Sequence, residues 1–178
     1  MMRLNRLLIP VVLAAVVGLA GCASSANRAA MVPGDLKPAK QHAHSVAVKT
    51  SGGSPTGAMD SSNISDEDLK AAIEDSIVQN KVFNSVVQGK AADYDLMVSI
   101  VHLNKPMFGL SFTVELEATW VLVKQSDRSV VFKRSVKSSH TATFSDAAVA
   151  ITRLRLALEG AARNNIEQGL TAISALSL

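Results

Sequence analysis

Residues Leu110 to Val123 alternate with a period of two. Leu110, Phe112, Val114, Leu116, Ala118, Trp120 and Leu122 fall on one parity, and Ser111, Thr113, Glu115, Glu117 and Thr119 on the other. Over more than ten residues that alternation predicts a long strand with one buried face. Ser129 to Thr141 reads as its partner across a Gln125-Ser126-Asp127-Arg128 turn. Val130, Phe132 and Val136 are expected to face the core, and Lys133, Ser135 and Lys137 to protect an edge strand with charge. Asp95 to Leu103 is apolar at nearly every position, as in a strand covered on both faces. Ser45 to Lys49 alternates as a shorter strand.

Two segments change period. Ser65 has the chemistry of a helix cap, with Asp68 as the reciprocal cap, Asp66 and Glu67 adding first-turn charge, and Ile64 and Leu69 spaced as a staple. Leu69, Ile73, Ser76 and Ile77 then mark one face through about Lys81, and Val82 and Phe83 are expected to pack at its end. The chain closes with a helix predicted from about Asp146 to Leu176, capped by Ser145. Ile151, Leu154, Leu158, Ala162, Ile166, Leu170 and Ile173 form its stripe.

The predicted order is β-α-β-β-β-α. The first two strands should pair in parallel through a right-handed crossover, and the last three should form an antiparallel meander. The expected fold is α+β: a two-layer sandwich, a four-stranded mixed sheet with two helices on one face.

The amino-terminal segment has neither period. Arg3 and Arg6 precede an apolar run from Leu7 to Leu19, and Leu19-Ala20-Gly21-Cys22 follows. This is the order of a bacterial lipoprotein signal peptide, cleaved between Gly21 and Cys22. The run is too short for an ordinary membrane-spanning helix. The chain divides into a signal peptide over 1–21, an acylated Cys22 with a flexible tether over 22–43, and a single α+β domain over 44–178. As a coil, the tether would span about 25 Å. Ala23, where retained lipoproteins carry Asp, implies by resemblance an outer-membrane location facing the periplasm.

Charge and cysteine usage narrow the chemistry. The formal net charge is +3, but Arg3 and Arg6 belong to the removed signal, so the remainder is near balance. A nucleic-acid partner needs a concentrated basic face and is not expected. Cys22 is the only cysteine, so an acylated chain has neither disulfide nor thiol nucleophile.

The lipobox, the tether, Val46-Ala47-Val48, the helix after Ser65 and the strand start Ala92-Asp93-Tyr94-Asp95-Leu96 together resemble a known group. The chain is similar to small envelope lipoproteins with a curli-secretion or TolB amino-terminal type of α/β domain. These include activators of penicillin-binding proteins and auxiliary lipoproteins of ABC-type transporters. The resemblance implies a protein that binds other envelope components and is not an enzyme. It carries no functional residue across.

Motif inspection agrees with a non-catalytic reading. Gly52 and Gly57 have the outer spacing of a phosphate loop, but Ala58 and Met59 stand where Lys and Ser/Thr are required. His42 and His44 offer only two local metal ligands, so neither a metal nor another cofactor is expected. His102 and His140 read as strand-end residues. Glu115 and Glu117 sit about 7 Å apart on a solvated strand face. No Gly-x-Ser-x-Gly elbow and no hexapeptide repeat occurs. Arg155, Glu159 and Arg163 are spaced as a surface charge ladder with Arg153 nearby.

The loop Asn104 to Gly109 presents Met107 and Phe108 at a turn. Either they form a contact site or they fold back to cap the core. Met107, Phe108, Arg153 and Arg155 are the candidate partner-binding residues. Two functions fit: a membrane-anchored module that binds an envelope protein, with a homo-oligomer compatible, or a carrier for a lipid or other apolar ligand. The carrier requires a cavity lined by Phe112, Leu116 and Trp120.

Overall fold

The computed structural model describes residues 24–57, 61–89 and 92–178. The expected signal peptide and Cys22 lie outside the described residues. The elements are β1 (His42–Ser51), α1 (Asp66–Gln79), β2 (Phe83–Val86), β3 (Tyr94–Asn104), β4 (Phe112–Lys124), β5 (Val130–Ala142) and α2 (Ala150–Ser174). One mixed sheet has the order β2-β1-β3-β4-β5. β1 pairs in parallel with β3, and β3, β4 and β5 form the antiparallel meander.

The sheet has five strands where four were expected. The fifth, β2, is four residues long and pairs in parallel with β1. Phe-Asn-Ser-Val is too short to establish a period, and its partner strand lies some forty residues earlier in the chain.

The predicted alternation places the core on the helix side. Phe112, Val114, Leu116, Ala118, Trp120 and Leu122 are buried, whereas Leu110 falls outside β4 and is exposed. Trp120 donates from Nε1 to Asn165 Oδ1 at 2.9 Å, and Asn165 Nδ2 donates in turn to the Val136 carbonyl. Gly169 lies against the indole, where a Cβ would come within 2.5 Å of the ring. Helix and sheet are thus in contact where an apolar cavity would have to open. On β5, Val136 is buried as expected, but Val130 is 58% exposed, because the register shifts at Leu122/Val123.

At α1, Ser65 Oγ accepts from the Asp68 amide, as the cap chemistry predicts, but the Asp68 carboxylate accepts from the Ser65 hydroxyl in place of the expected reciprocal bond from the Ser65 amide. The other helix starts later than expected, at Ala150, without a side-chain cap. Asp146 is used instead to close a turn, accepting from the Thr143 amide at 2.7 Å and the Thr143 hydroxyl at 2.9 Å.

The largest departure concerns the segment expected to be a tether. Its described part, from Ser24, lies along the helices. Residues Arg28–Met31 form a 3-10 turn capped by Asn27, and Ala26, Met31 and Leu36 are buried in the common core. The expected surface ladder on α2 is what receives this segment. Glu159 is 3% exposed and accepts from the Asn27 amide at 2.7 Å, and Arg163 donates to the Ala30 carbonyl. Arg28 pairs with Asp75 of α1.

Candidate functional site

The three long connections β1–α1, β3–β4 and β5–α2 come together at one end of the sheet. Lys105 starts the β3–β4 loop. Its ammonium donates to Ser61 Oγ and the Ser62 carbonyl, each at 3.0 Å, and to Asn63 Oδ1. That ties the β3–β4 loop to the β1–α1 connection.

Arg153 ties it to the third. Its guanidinium donates to the carbonyls of Ala147 and Ala148, both at 2.8 Å, and to that of Gly109 at 3.4 Å. Its Cζ stands 5.3 Å from the Phe112 ring centroid and 5.5 Å from that of Phe144. A planar cation with several donors suits this position, since it can join backbone acceptors and still stack on rings.

Between these fixtures the loops expose apolar side chains. Met107 is 87% exposed, Phe108 85%, and Leu110, Phe144 and Val149 are also largely in solvent. Met107 and Phe108 do not fold back to cap the core. Gly109 lets the chain turn here, with φ +148°.

The candidate residues therefore separate. Met107 and Phe108 lie on the exposed surface of the tip. Arg153, 4% exposed, is the bracket beneath it and not a contact residue. Arg155 is half-buried, paired with Glu159 at 3.7 Å and donating to Ser24 Oγ at 3.2 Å. It holds the amino-terminal segment. Leu110, Phe144 and Val149 are members the sequence reading missed. The alternation places Leu110 on a buried strand face, whereas β4 begins only at Phe112, and Phe144 packs against Arg153.

A second surface adjoins β5. Its polar cleft of about 850 Å³ is lined in part by His102, Glu115, Glu117, Lys137, Asn164 and Glu167. Glu117 accepts from Ser135 Oγ at 2.5 Å and stands 3.5 Å from the Lys137 ammonium. The Ser135 hydrogen bond, aided by Lys137, holds its carboxyl below the usual glutamate range. Glu117 is thus a solvated, charged surface group.

The histidines have structural surroundings. His42 is buried, with Nε2 3.0 Å from the Ile173 carbonyl and its ring against Phe83. His44 stacks edge-on to Tyr94. His140 faces Gly160, where a Cβ would meet the imidazole at 2.1 Å. Gly52 has φ +83° and lies against the Ile100 carbonyl, so it is a close-approach glycine between β1 and β3. Among the described residues no group of three or more His, Cys, Asp or Glu is placed to hold a metal, and no helix is long and apolar enough to cross a membrane.

No family model matches the chain, and no curated protein matches it. Solved structures do. A Xanthomonas campestris protein of the family DUF330 superposes with a TM-score of 0.58 at 16% identity, covering 80% of this chain and 91% of that one. PelC from Paraburkholderia phytofirmans, a dodecamer, gives 0.51 at 12% identity, over 80% of this chain and 96% of its own. Uncharacterized lipoprotein B from Nitrosomonas europaea gives 0.50 at 13% identity, over 81% and 89%. The likeness is one of fold, and it is a fold found in small bacterial lipoproteins.

Proposed function

We propose that this chain is a lipid-anchored accessory lipoprotein of the bacterial envelope, held at the outer membrane through acylated Cys22 and facing the periplasm. It supports a transport, secretion or wall-assembly machine by protein–protein contact and not by catalysis. This is the role that the resemblance to penicillin-binding-protein activators and transporter auxiliary lipoproteins implies.

The observation that carries the reading is the β5 side of the domain. The outermost strand of the sheet runs beside a polar cleft whose Glu115, Glu117, Glu167 and Lys137 suit a polar protein segment. Strand edges and the grooves beside them are a recurring mode of peptide recognition. A second copy of this chain is one partner of that chemistry, and PelC, which shares the fold, is a dodecamer. The packing of Trp120 against Gly169 supports the binding module over a lipid carrier, which needs open apolar volume at that point.

The test is in-cell crosslinking from a photoreactive residue at Glu115, followed by mass spectrometry. One dominant protein adduct is expected and would identify the partner. Absence of any protein adduct would count against this surface and bring the carrier forward.

A further inference from the structure

The polypeptide enters the described structure at the same end of the domain as the exposed apolar loops. The Ser24 carbonyl accepts from Ser62 Oγ at 2.9 Å, and the Ser62 carbonyl accepts from the Lys105 ammonium at the root of the Met107/Phe108 loop. On the other side Ser24 Oγ accepts from Arg155, two residues after the Arg153 that brackets that loop. From Ser24 the chain runs to the opposite end, where Ala39 donates to Ser174 Oγ and Lys40 to Ser177 Oγ. Segment 24–40 therefore follows the whole of α2, about 37 Å at 1.5 Å per residue. It starts at the tip and does not lead away from the domain.

Cys22 precedes Ser24 by two residues, a reach of about 7 Å even when extended. We propose that the tip formed by the β3–β4 and β5–α2 loops is a membrane-contacting surface. Met107, Phe108, Leu110, Phe144 and Val149 enter the interfacial layer of the bilayer that holds the acyl chains of Cys22. This rests on the anchor reading above and adds an orientation to it. A long tether would make the apolar loops independent of the membrane, but a packed segment makes them neighbours of it. Contiguous apolar side chains in solvent mark a contact surface. Lys105, Arg153 and the Asp146–Thr143 turn hold the loops open, so these side chains are presented and not collapsed. A lipid anchor gains durability from a second point of membrane contact. With the tip against the membrane, the opposite end and the β5 cleft remain available to a periplasmic partner.

The experiment uses the acylated lipoprotein made from the full chain, in vesicles of phosphatidylethanolamine and phosphatidylglycerol. Acylation consumes the thiol of the only cysteine, so Phe108→Cys and, separately, Ser126→Cys at the opposite end each give one reactive site for an environment-sensitive fluorophore. Nitroxide-bearing lipids are expected to quench the label at position 108 severalfold more than that at 126. Equal quenching on a protein whose intact mass shows the acyl chains would overturn the membrane tip and leave the anchor standing. A label at 108 shielded from both lipid nitroxide and aqueous iodide would also overturn it, in favour of a contact between copies of the chain. A mass lacking acyl chains would overturn the anchor, and the proposal with it.

Discussion

The two hairpin connections of the β3–β4–β5 meander sit at opposite ends of β4 and are built on opposite terms. The β4–β5 turn is closed mostly by its own polar side chains, with one outside bond, from the Gln125 amide to the Asp93 carbonyl at 2.8 Å. Asp127 accepts from the Ser129 amide and hydroxyl, and Arg128 donates to Gln125. The β3–β4 loop is held from outside, by Lys105 reaching to the β1–α1 connection and by Arg153 reaching from α2. Yet it is this loop that leaves Met107, Phe108 and Leu110 in solvent. A hairpin can close with polar residues alone, as the first one does. The apolar tip is therefore not a requirement of the sheet, and the brackets beneath it keep exposed what a pliable loop would bury.

Removing one arginine from each end gives the largest contrast. Arg153→Met removes a charged donor from the Ala147, Ala148 and Gly109 carbonyls, each such bond being worth about 1.5–3 kcal/mol, although Ala148 and Gly109 are exposed and open to water. A net loss of about 2–4 kcal/mol is expected by denaturant unfolding, allowing for water reaching some of the carbonyls. Arg128→Ala should stay within about 0.5 kcal/mol, the usual range for an exposed position. If the two variants unfold alike, Arg153 is not the bracket described here.

That asymmetry was only partly legible. The long alternation fixed β4 and its buried face, and the Ser65/Asp68 pair fixed the start of α1, because both signals are local. Exposure of Met107 and Phe108 was not decided by the sequence: apolar residues where a turn belongs could equally have folded back onto the core, and only the structure puts them in solvent. The packing of the tether was not legible either. Residues 24–41 have the composition of a linker, and Met31 and Leu36 are buried only because the two helices offer them a surface. Nor could spacing show that Glu159 faces the Asn27 amide and not water. Arg153 stood among candidate contact residues because it is charged. Its place between Phe112 and Phe144 depends on strands and a helix some forty residues apart in sequence. Ser145 and Asp146 looked like a helix cap but serve a turn, a choice between two local geometries that the same residues support.

Acid offers a subtler comparison, between the hydrogen-bonded aspartates of the β5–α2 connection and the β4–β5 turn. Asp146 is held below the ordinary aspartate value of 3.8 by the Thr143 amide and hydroxyl, and Asp127 by the Ser129 hydroxyl and amide. Both pKa values are depressed in the folded state. Their stabilisation is therefore present above the ordinary value and is lost as pH falls through the folded value. Protection of the Thr143 and Ser129 amides, measured relative to their intrinsic exchange rates, should be present at neutral pH and fall together below about pH 4. The consequence should differ: at the tip Phe144 loosens with the turn, whereas at the other end only the turn itself opens. Asp146→Asn should remove the pH dependence at Thr143 and leave it at Ser129. A common loss at both sites in that variant would mean global acid unfolding and erase the distinction.

The smallest expected effect on stability bears most directly on what the tip is for. Phe108 and Leu110 are largely exposed in the folded domain and bury little on folding. Phe108→Ser with Leu110→Ser should change unfolding free energy by no more than about 0.5 kcal/mol. Contributions to the core would show instead as losses of about 3–5 kcal/mol for a buried phenylalanine. A near-neutral result would mean that these residues are kept apolar for a contact outside the domain. The same double variant should elute from a monomer-sized position as the parent does if the contact is with lipid, and shift to smaller assemblies if the contact is with another copy. Stability measured by denaturation and size measured by light scattering, on the same pair of proteins, therefore decide whether the exposed loop belongs to the fold, to an assembly or to the membrane.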